Sequence, residues 1–227
     1  MTGGSAITAN SALLRPDLFA AVGVLSVPYA PHGAHRPSEV FARAGVEEEF
    51  YVSYFQPPGV AEAEIEEDVR SWLAGIYAAL SGDAAAAPQS ASVFTIPRGG
   101  KMRDRLPRVE RLPGWLSERD LDAYAGEFER RGLAGPLNRY RNVDRDWEDL
   151  AVWDGVVIDQ PSILIAGERD ASTNWMRGAI DAHARTLPGV VSSHVLAGRG
   201  HWIQQEAEEK VSGLLIDWLR STSLPAG

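Results

Sequence analysis

The chain contains no cysteine. That excludes a disulfide-stapled scaffold, a thiolate zinc site and a cysteine nucleophile, and it leaves the redox compartment open. Positive charge is also short, with 22 Lys and Arg against 31 Asp and Glu and a net charge of −9. Such a chain offers no basic stripe to displace counterions from nucleic acid and no attraction to an anionic membrane surface. Neither partner is expected. The N-terminus carries no basic n-region, and no uninterrupted apolar run is long enough to span a bilayer, so a cytoplasmic protein is expected. No internal repeat is found. The single low-complexity stretch, Ala84 to Ala87, lies in a Gly/Asp/Pro setting that reads as a surface loop. What is present is ordinary globular composition, 44% hydrophobic and 23% charged over 227 residues, enough for one large domain or a core with an insertion.

Ser5 to Leu14 is small and apolar on most sides, which suits a helix buried against a sheet, and Arg15-Pro16-Asp17 stops it. Ala20 to Val27 is a short continuous apolar run ending at Pro28, the pattern of a covered parallel strand. From Ser38 to about Asp149 the periodicity is helical. Ile65, Val69, Trp72, Leu73, Ile76 and Leu80 form one stripe, and a second helix begins at a Ser117 cap, with Asp120 at its third position, and ends at Gly132. The strand pattern returns at Pro161 to Gly167. Asn174 to Thr186 reads as a helix, Val190 to Leu196 as an alternating strand, and Val211 to Leu219 as a closing amphipathic helix. An α/β sheet interrupted by a helical insertion accounts for this order.

Two segments place titratable residues just after a predicted strand: Gly167-Glu-Arg-Asp170 and Gly198-Arg-Gly-His201-Trp202. Ligand crevices of open parallel sheets lie beyond the carboxyl ends of the strands. An aspartate and a histidine on adjacent strand ends would there share a hydrogen bond that fixes the imidazole tautomer. The plain alternative is that both are turn residues. His32 and His35 have no third ligand at useful spacing to make a metal site, and His183 and His194 read as structural. Tyr51, Tyr54, Phe55 and Tyr140 are open on spacing alone, between packed aromatics and phenols aimed at a developing oxyanion.

Several segments carry a family resemblance. Phe50-Tyr-Val-Ser-Tyr-Phe-Gln-Pro-Pro-Gly-Val-Ala-Glu-Ala-Glu64 and Gly135-Pro-Leu-Asn-Arg-Tyr-Arg-Asn142 resemble lid segments of soluble and bacterial epoxide hydrolases of the α/β-hydrolase superfamily. Ser11 to Asp17, Leu25-Ser-Val-Pro-Tyr29, Ala166-Gly-Glu-Arg-Asp170 and Gly200-His-Trp-Ile-Gln-Gln-Glu206 resemble core segments of the same family, in the family's order. The resemblance implies an α/β-hydrolase fold with a helical lid inserted after the strand that follows the nucleophile-elbow helix. Residues 1–30 and 150–227 would then be core and 31–149 the lid. It implies that an elbow aspartate attacks an epoxide carbon to form an ester. It also implies that Tyr51 and Tyr140 hydrogen-bond the epoxide oxygen and that Asp170 and His201 activate the water that hydrolyses the ester. Phe55 and Trp202 would contact substrate, a small hydrophobic epoxide, and no cofactor or metal is implied. Haloalkane dehalogenases share the aspartate–histidine chemistry but use Trp or Asn halide donors, so the tyrosine pair favours an epoxide.

The start of the chain departs from the family pattern. The elbow usually reads Gly-His-Asp-Trp-Gly; counting back from Pro16 puts Thr2 at the attacking aspartate and leaves the Gly3 backbone at the oxyanion position. A one-base insertion is the expected cause: CAT GAC TGG GGC AGC encodes His-Asp-Trp-Gly-Ser. With another G in the run and reading from its second base, it gives ATG ACT GGG GGC AGC, Met-Thr-Gly-Gly-Ser, which is Met1 to Ser5. On that reading the N-terminal strands of the sheet are missing and three remain. The chain is then inactive as written, and its unpaired strand edge and apolar faces predict self-association. An amino-terminal Thr2 nucleophile or a non-catalytic ligand-binding role are the competing readings.

Overall fold

A computed structural model of the protein describes residues 3–43, 47–84 and 93–222. The chain divides into two compact units. One is drawn from Met1–His32, Ser81–Asp83 and Val152–Gly227, the other from Gly33–Leu80 and Ala84–Ala151.

The first unit is built on a parallel sheet. Its strands β1 (Val22–Leu25), β4 (Ser162–Gly167) and β5 (Val190–Leu196) lie side by side in the order β1-β4-β5. Val22 pairs with Ser162 and Leu25 with Ile165, while Ala166 pairs with Val195. Every residue of β4 is buried, as its unbroken apolar run requires. Its side chains alternate between two cores. Leu164 and Ala166 face Ala9, Ala12, Val22 and Val24, whereas Ile163 and Ile165 face Ile203, Val211 and Trp218. Helix α1 (Gly3–Leu14) covers the first face, where buried Ala9 and Ala12 allow a close approach to β1. Helix α13 (Glu208–Ser221) covers the second, with Leu215 and Trp218 against Gly23. The strand expected over Ala20 to Val27 is shorter, because Ser26 has φ 68° and turns the chain out of extended geometry.

The second unit consists mainly of helices around a core that includes Tyr54, Ile65, Leu73, Ile96, Leu121 and Leu137. Its main elements are α2 (Pro37–Ala42), α3 (Tyr51–Tyr54), α4 (Val60–Glu66), α5 (Val69–Ala79), α6 (Glu118–Arg131), α7 (Ala134–Arg141) and α8 (Val143–Leu150). The capping expectation for α6 holds: Ser117 and Asp120 form a capping box, and Gly132, at φ 71°, ends the helix. The stripe from Ile65 to Leu80 belongs to two helices, not one. Asp68 leaves helical geometry and accepts the Ser71 N–H at 2.9 Å, capping α5, while both helices bury apolar residues in the same core. The stretch also holds a two-stranded antiparallel sheet, β2 (Glu48–Phe50) with β3 (Thr95–Pro97). Strands of three residues containing Glu and Pro leave no readable alternation.

In the first unit, the helix expected over Asn174 to Thr186 is three short ones: α9 (Ala171–Trp175), α10 (Arg177–Asp181) and α11 (His183–Thr186). It starts earlier than expected, because the Asp170 carboxylate caps it, and it breaks at Met176 and Ala182. A one-turn helix, α12 (Ile203–Glu206), precedes α13. Among the described residues no helix is long and apolar enough to cross a membrane.

Candidate active site

The carboxyl ends of the three parallel strands converge on one buried cluster. Beyond β4 the chain turns through Gly167-Glu-Arg-Asp170, and beyond β5 through residues 197–202. The two loops pass backbone to backbone. A Cβ on Gly167 would lie 2.2 Å from the Gly200 carbonyl oxygen, so only glycine fits that crossing. The Arg169 N–H donates to the Arg199 carbonyl at 2.8 Å, and the Gly198 N–H donates to the Glu168 carboxylate at 2.9 Å. Gly198, at φ 70°, makes the turn.

Asp170 and His201 meet at this crossing. The Nδ1 of His201 lies 3.0 Å from Oδ2 of Asp170, and both side chains are buried. The other carboxylate oxygen, Oδ1, accepts the Ser172 N–H at 2.9 Å. Burial alone pushes the Asp170 carboxyl up; the hydrogen bond and charge of His201, with the Ser26 hydroxyl and the Ser172 N–H, outweigh it. The group therefore sits below the usual carboxylate range. With Nδ1–H donated to the carboxylate, Nε2 is the nitrogen left to accept a proton.

Two residues with no role read from the sequence complete the cluster. Ser26 donates its hydroxyl to Oδ2 of Asp170, and its Oγ lies 2.9 Å from Nδ1 of His201. It is in the Leu25-Ser-Val-Pro-Tyr29 segment, but a serine after a strand carries no signal of its own. Glu206 is buried at the end of the one-turn helix that follows the histidine. Its Oε2 accepts the N–H of Gly82 at 3.0 Å and of Gly200 at 2.8 Å, and Oε1 accepts the N–H of Trp202 at 3.1 Å. The N–H groups of the residues on both sides of His201 are thus tied to one carboxylate. The i to i+4 relation of Trp202 and Glu206, facing a glycine-rich loop, is the only trace of this in the sequence.

A cavity of about 290 Å³ opens beside the imidazole, lined in part by Gly4, Ser5, Thr8, Ser26, His201 and Trp202. Trp202, expected to contact substrate, is in this wall, its ring edge-on to His201 at 4.9 Å. Gly3 is the first residue of α1, beside Gly4 in the wall, and the expected attacking position, Thr2, lies outside the described residues.

Tyr51, Phe55 and Tyr140 cluster in the helical unit. The Tyr51 and Tyr140 rings meet edge to face, with centroids 5.7 Å apart, and Phe55 is 5.7 Å from Tyr51 and 5.1 Å from Tyr140. Gln56 links the two segments by donating to the carbonyls of Val52 and Tyr140, both at 2.9 Å. Arg141 donates to the Phe55 carbonyl at 3.0 Å and pairs with Glu62 at 2.7 Å. Tyr54 is turned elsewhere, its hydroxyl donating to the buried Glu64.

The remaining histidines have other settings. His32 and His35 fall in different units, and His32 lies 4.0 Å from Asp154. His183 is buried, which pushes its imidazole below the ordinary value, and His194 is in β5. Among the described residues no group of three His, Cys, Asp or Glu side chains is placed to hold a metal ion.

No family model matches the chain. Epoxide hydrolase B of Mycobacterium tuberculosis is 37% identical over 221 residues, covering 88% of this chain and 62% of its own length. Epoxide hydrolase A of the same organism is 37% identical over 223 residues, covering 97% of this chain and 67% of its own. Among solved structures, an epoxide hydrolase from an endophytic Streptomyces superposes with a TM-score of 0.93 at 61% identity, covering 96% of this chain and 65% of that one. The chain therefore spans about three fifths of the length of the first of these relatives. On this likeness of sequence and structure, the chain belongs to the epoxide hydrolases of the α/β-hydrolase superfamily.

Proposed function

We propose that this chain supplies the water-activating and oxygen-polarising parts of an epoxide hydrolase that opens small hydrophobic epoxides to diols. The observation that carries the reading is the buried Asp170–His201 pair at adjacent parallel strand ends, with Nδ1 at 3.0 Å from the carboxylate and a cavity beside the ring. The helical unit, inserted in sequence between β1 and β4, is the lid. Its phenols, Tyr51 and Tyr140, donate hydrogen bonds to the epoxide oxygen as a carboxylate attacks a ring carbon and the C–O bond breaks. A phenol proton passes to the departing oxygen, so the product is an ester carrying a new hydroxyl, with a phenolate beside it. His201 then takes a proton from water through Nε2 and the hydroxide adds to the ester carbonyl; the ester bond breaks, the acid proton passes to the leaving alkoxide to give diol and carboxylate, and the imidazolium returns its proton to the phenolate. Asp170 stays ionised and stabilises the imidazolium.

The attacking carboxylate belongs at position 2, where this chain has Thr. Among the described residues, the cavity wall beside His201 contains no Asp or Glu. That observation favours, as a second reading, a chain that binds an epoxide without turning it over. Diol formation from a hydrophobic aryl epoxide by the chain, its Thr2→Asp variant and Thr2→Asp combined with His201→Gln tests both. Turnover is expected only from Thr2→Asp, with the ester accumulating on the double variant in mass spectra. Binding but neither ester nor diol from Thr2→Asp would leave the second reading standing. Diol formation unaffected by His201→Gln would overturn the role given to the imidazole.

A further inference from the structure

Among the described residues, Ser26 is the one non-glycine with a positive φ, 68°. Its neighbours close a three-residue turn around it, the Val27 N–H donating to the Leu25 carbonyl at 2.9 Å, while its own N–H donates to Ile165 at 2.8 Å and keeps it on the end of the sheet. A turn of this shape with positive φ is rare and strained, and a serine gains nothing there from its backbone. The turn delivers the side chain. Its buried Oγ bonds Oδ2 of Asp170 and lies 2.9 Å from Nδ1 of His201, which is 3.0 Å from the same Oδ2.

We propose that Ser26 is a positioning residue for the Asp170–His201 pair, holding the carboxylate oxygen and the imidazole Nδ1–H in register from a turn that exists to present its hydroxyl. The inference rests on reading that pair as the water-activating machinery. Each atom has a defined part. The hydroxyl proton goes to Oδ2, the oxygen's lone pair offers Nδ1–H a second acceptor, and Ser172 N–H holds Oδ1, so the carboxylate plane has no freedom to rotate away from the ring. Ser26 also favours the ionised form of Asp170.

Glycine at position 26 relaxes the strained turn and removes the hydroxyl; alanine removes the hydroxyl and keeps the strain. Asparagine tolerates positive φ and restores both a donor and an acceptor. In the 227-residue chain, ¹³C and ¹⁵N spectra follow the Asp170 carboxyl titration and the His201 Nδ1–H resonance, the latter assigned with His201→Gln. With Ser26→Gly and Ser26→Ala, the carboxyl midpoint is expected to rise by about half to one pH unit. The Nδ1–H signal should shift and broaden, while Ser26→Gly melts no lower than the parent. Ser26→Asn should return both signals toward the parent. A merely structural serine would leave both signals unmoved in Ser26→Gly and Ser26→Ala, and that result, or a failure of Ser26→Asn to restore them, overturns the proposal. Failure of the water-activating reading is seen separately, as diol formation indifferent to His201, and does not move either signal.

Discussion

Replacing Asp170 by Asn alters the buried pair with almost no change of shape. The native carboxylate accepts the Ser172 N–H on Oδ1 and shares Oδ2 between the Ser26 hydroxyl and His201 Nδ1–H. The amide keeps an oxygen for Ser172 but turns an NH₂ toward two donors. Each lost bond to a charged acceptor is worth roughly 1.5–3 kcal/mol. The hydroxyl can rotate and the imidazole can change tautomer, which recovers about half. A net loss of about 2–3 kcal/mol at pH 7 follows, or roughly 5–10 °C in Tm for a chain of this size. The pH dependence sharpens the test. The folded carboxyl titrates below its ordinary value near 4, so its stabilisation is fully present above about pH 4 and is lost as the pH falls through the folded value. The gap between parent and Asp170→Asn should be full at pH 7 and narrow in acid, as read from urea melts between pH 7 and 3. Other carboxylates titrate equally in both proteins and cancel. A variant as stable as its parent at pH 7, or a gap that widens in acid, refutes the reasoning.

The remaining expectations concern how the two loops and the helical unit are held. Glu206→Gln places an amide against backbone N–H donors of the His201 loop and should cost about 1–3 kcal/mol in denaturant melts, with faster hydrogen exchange at Gly200 and Trp202. Gly82→Ala would set a Cβ 2.3 Å from the Gly198 carbonyl oxygen and 2.8 Å from the Gly200 nitrogen. Backbone must move to admit it, so Tm should fall by several degrees for a loss of about 1–3 kcal/mol. Asp68→Ala removes the cap of α5, an exposed site, and should destabilise by about 1 kcal/mol; no change in the urea midpoint would mean that the α4–α5 break is held by packing alone. Leu121→Ala empties a position with 0% exposure at the centre of the helical core and should cost about 2–5 kcal/mol in the same melts.

What the sequence determined by itself was whatever local chemistry specifies. The short apolar run of β4, bounded by Pro161 and Gly167, reads as a covered strand, and Ser117, Asp120 and Gly132 carry both ends of α6 in their side chains and backbone freedom. Asp170 and His201 were legible because both follow strand patterns and each sits in a family segment. Boundaries set by a single cap inside a continuous apolar stripe, as at Asp68, were not, because hydrophobic spacing records which face is buried and not whether the helix is unbroken. The parts played by Ser26 and Glu206 were decided only by the tertiary structure. Ser26 is 144 positions from the carboxylate it holds, and Gly82 is 124 from Glu206. Contacts of that kind leave no period in a chain. They exist because parallel strands bring their carboxyl ends together whatever their separation in sequence.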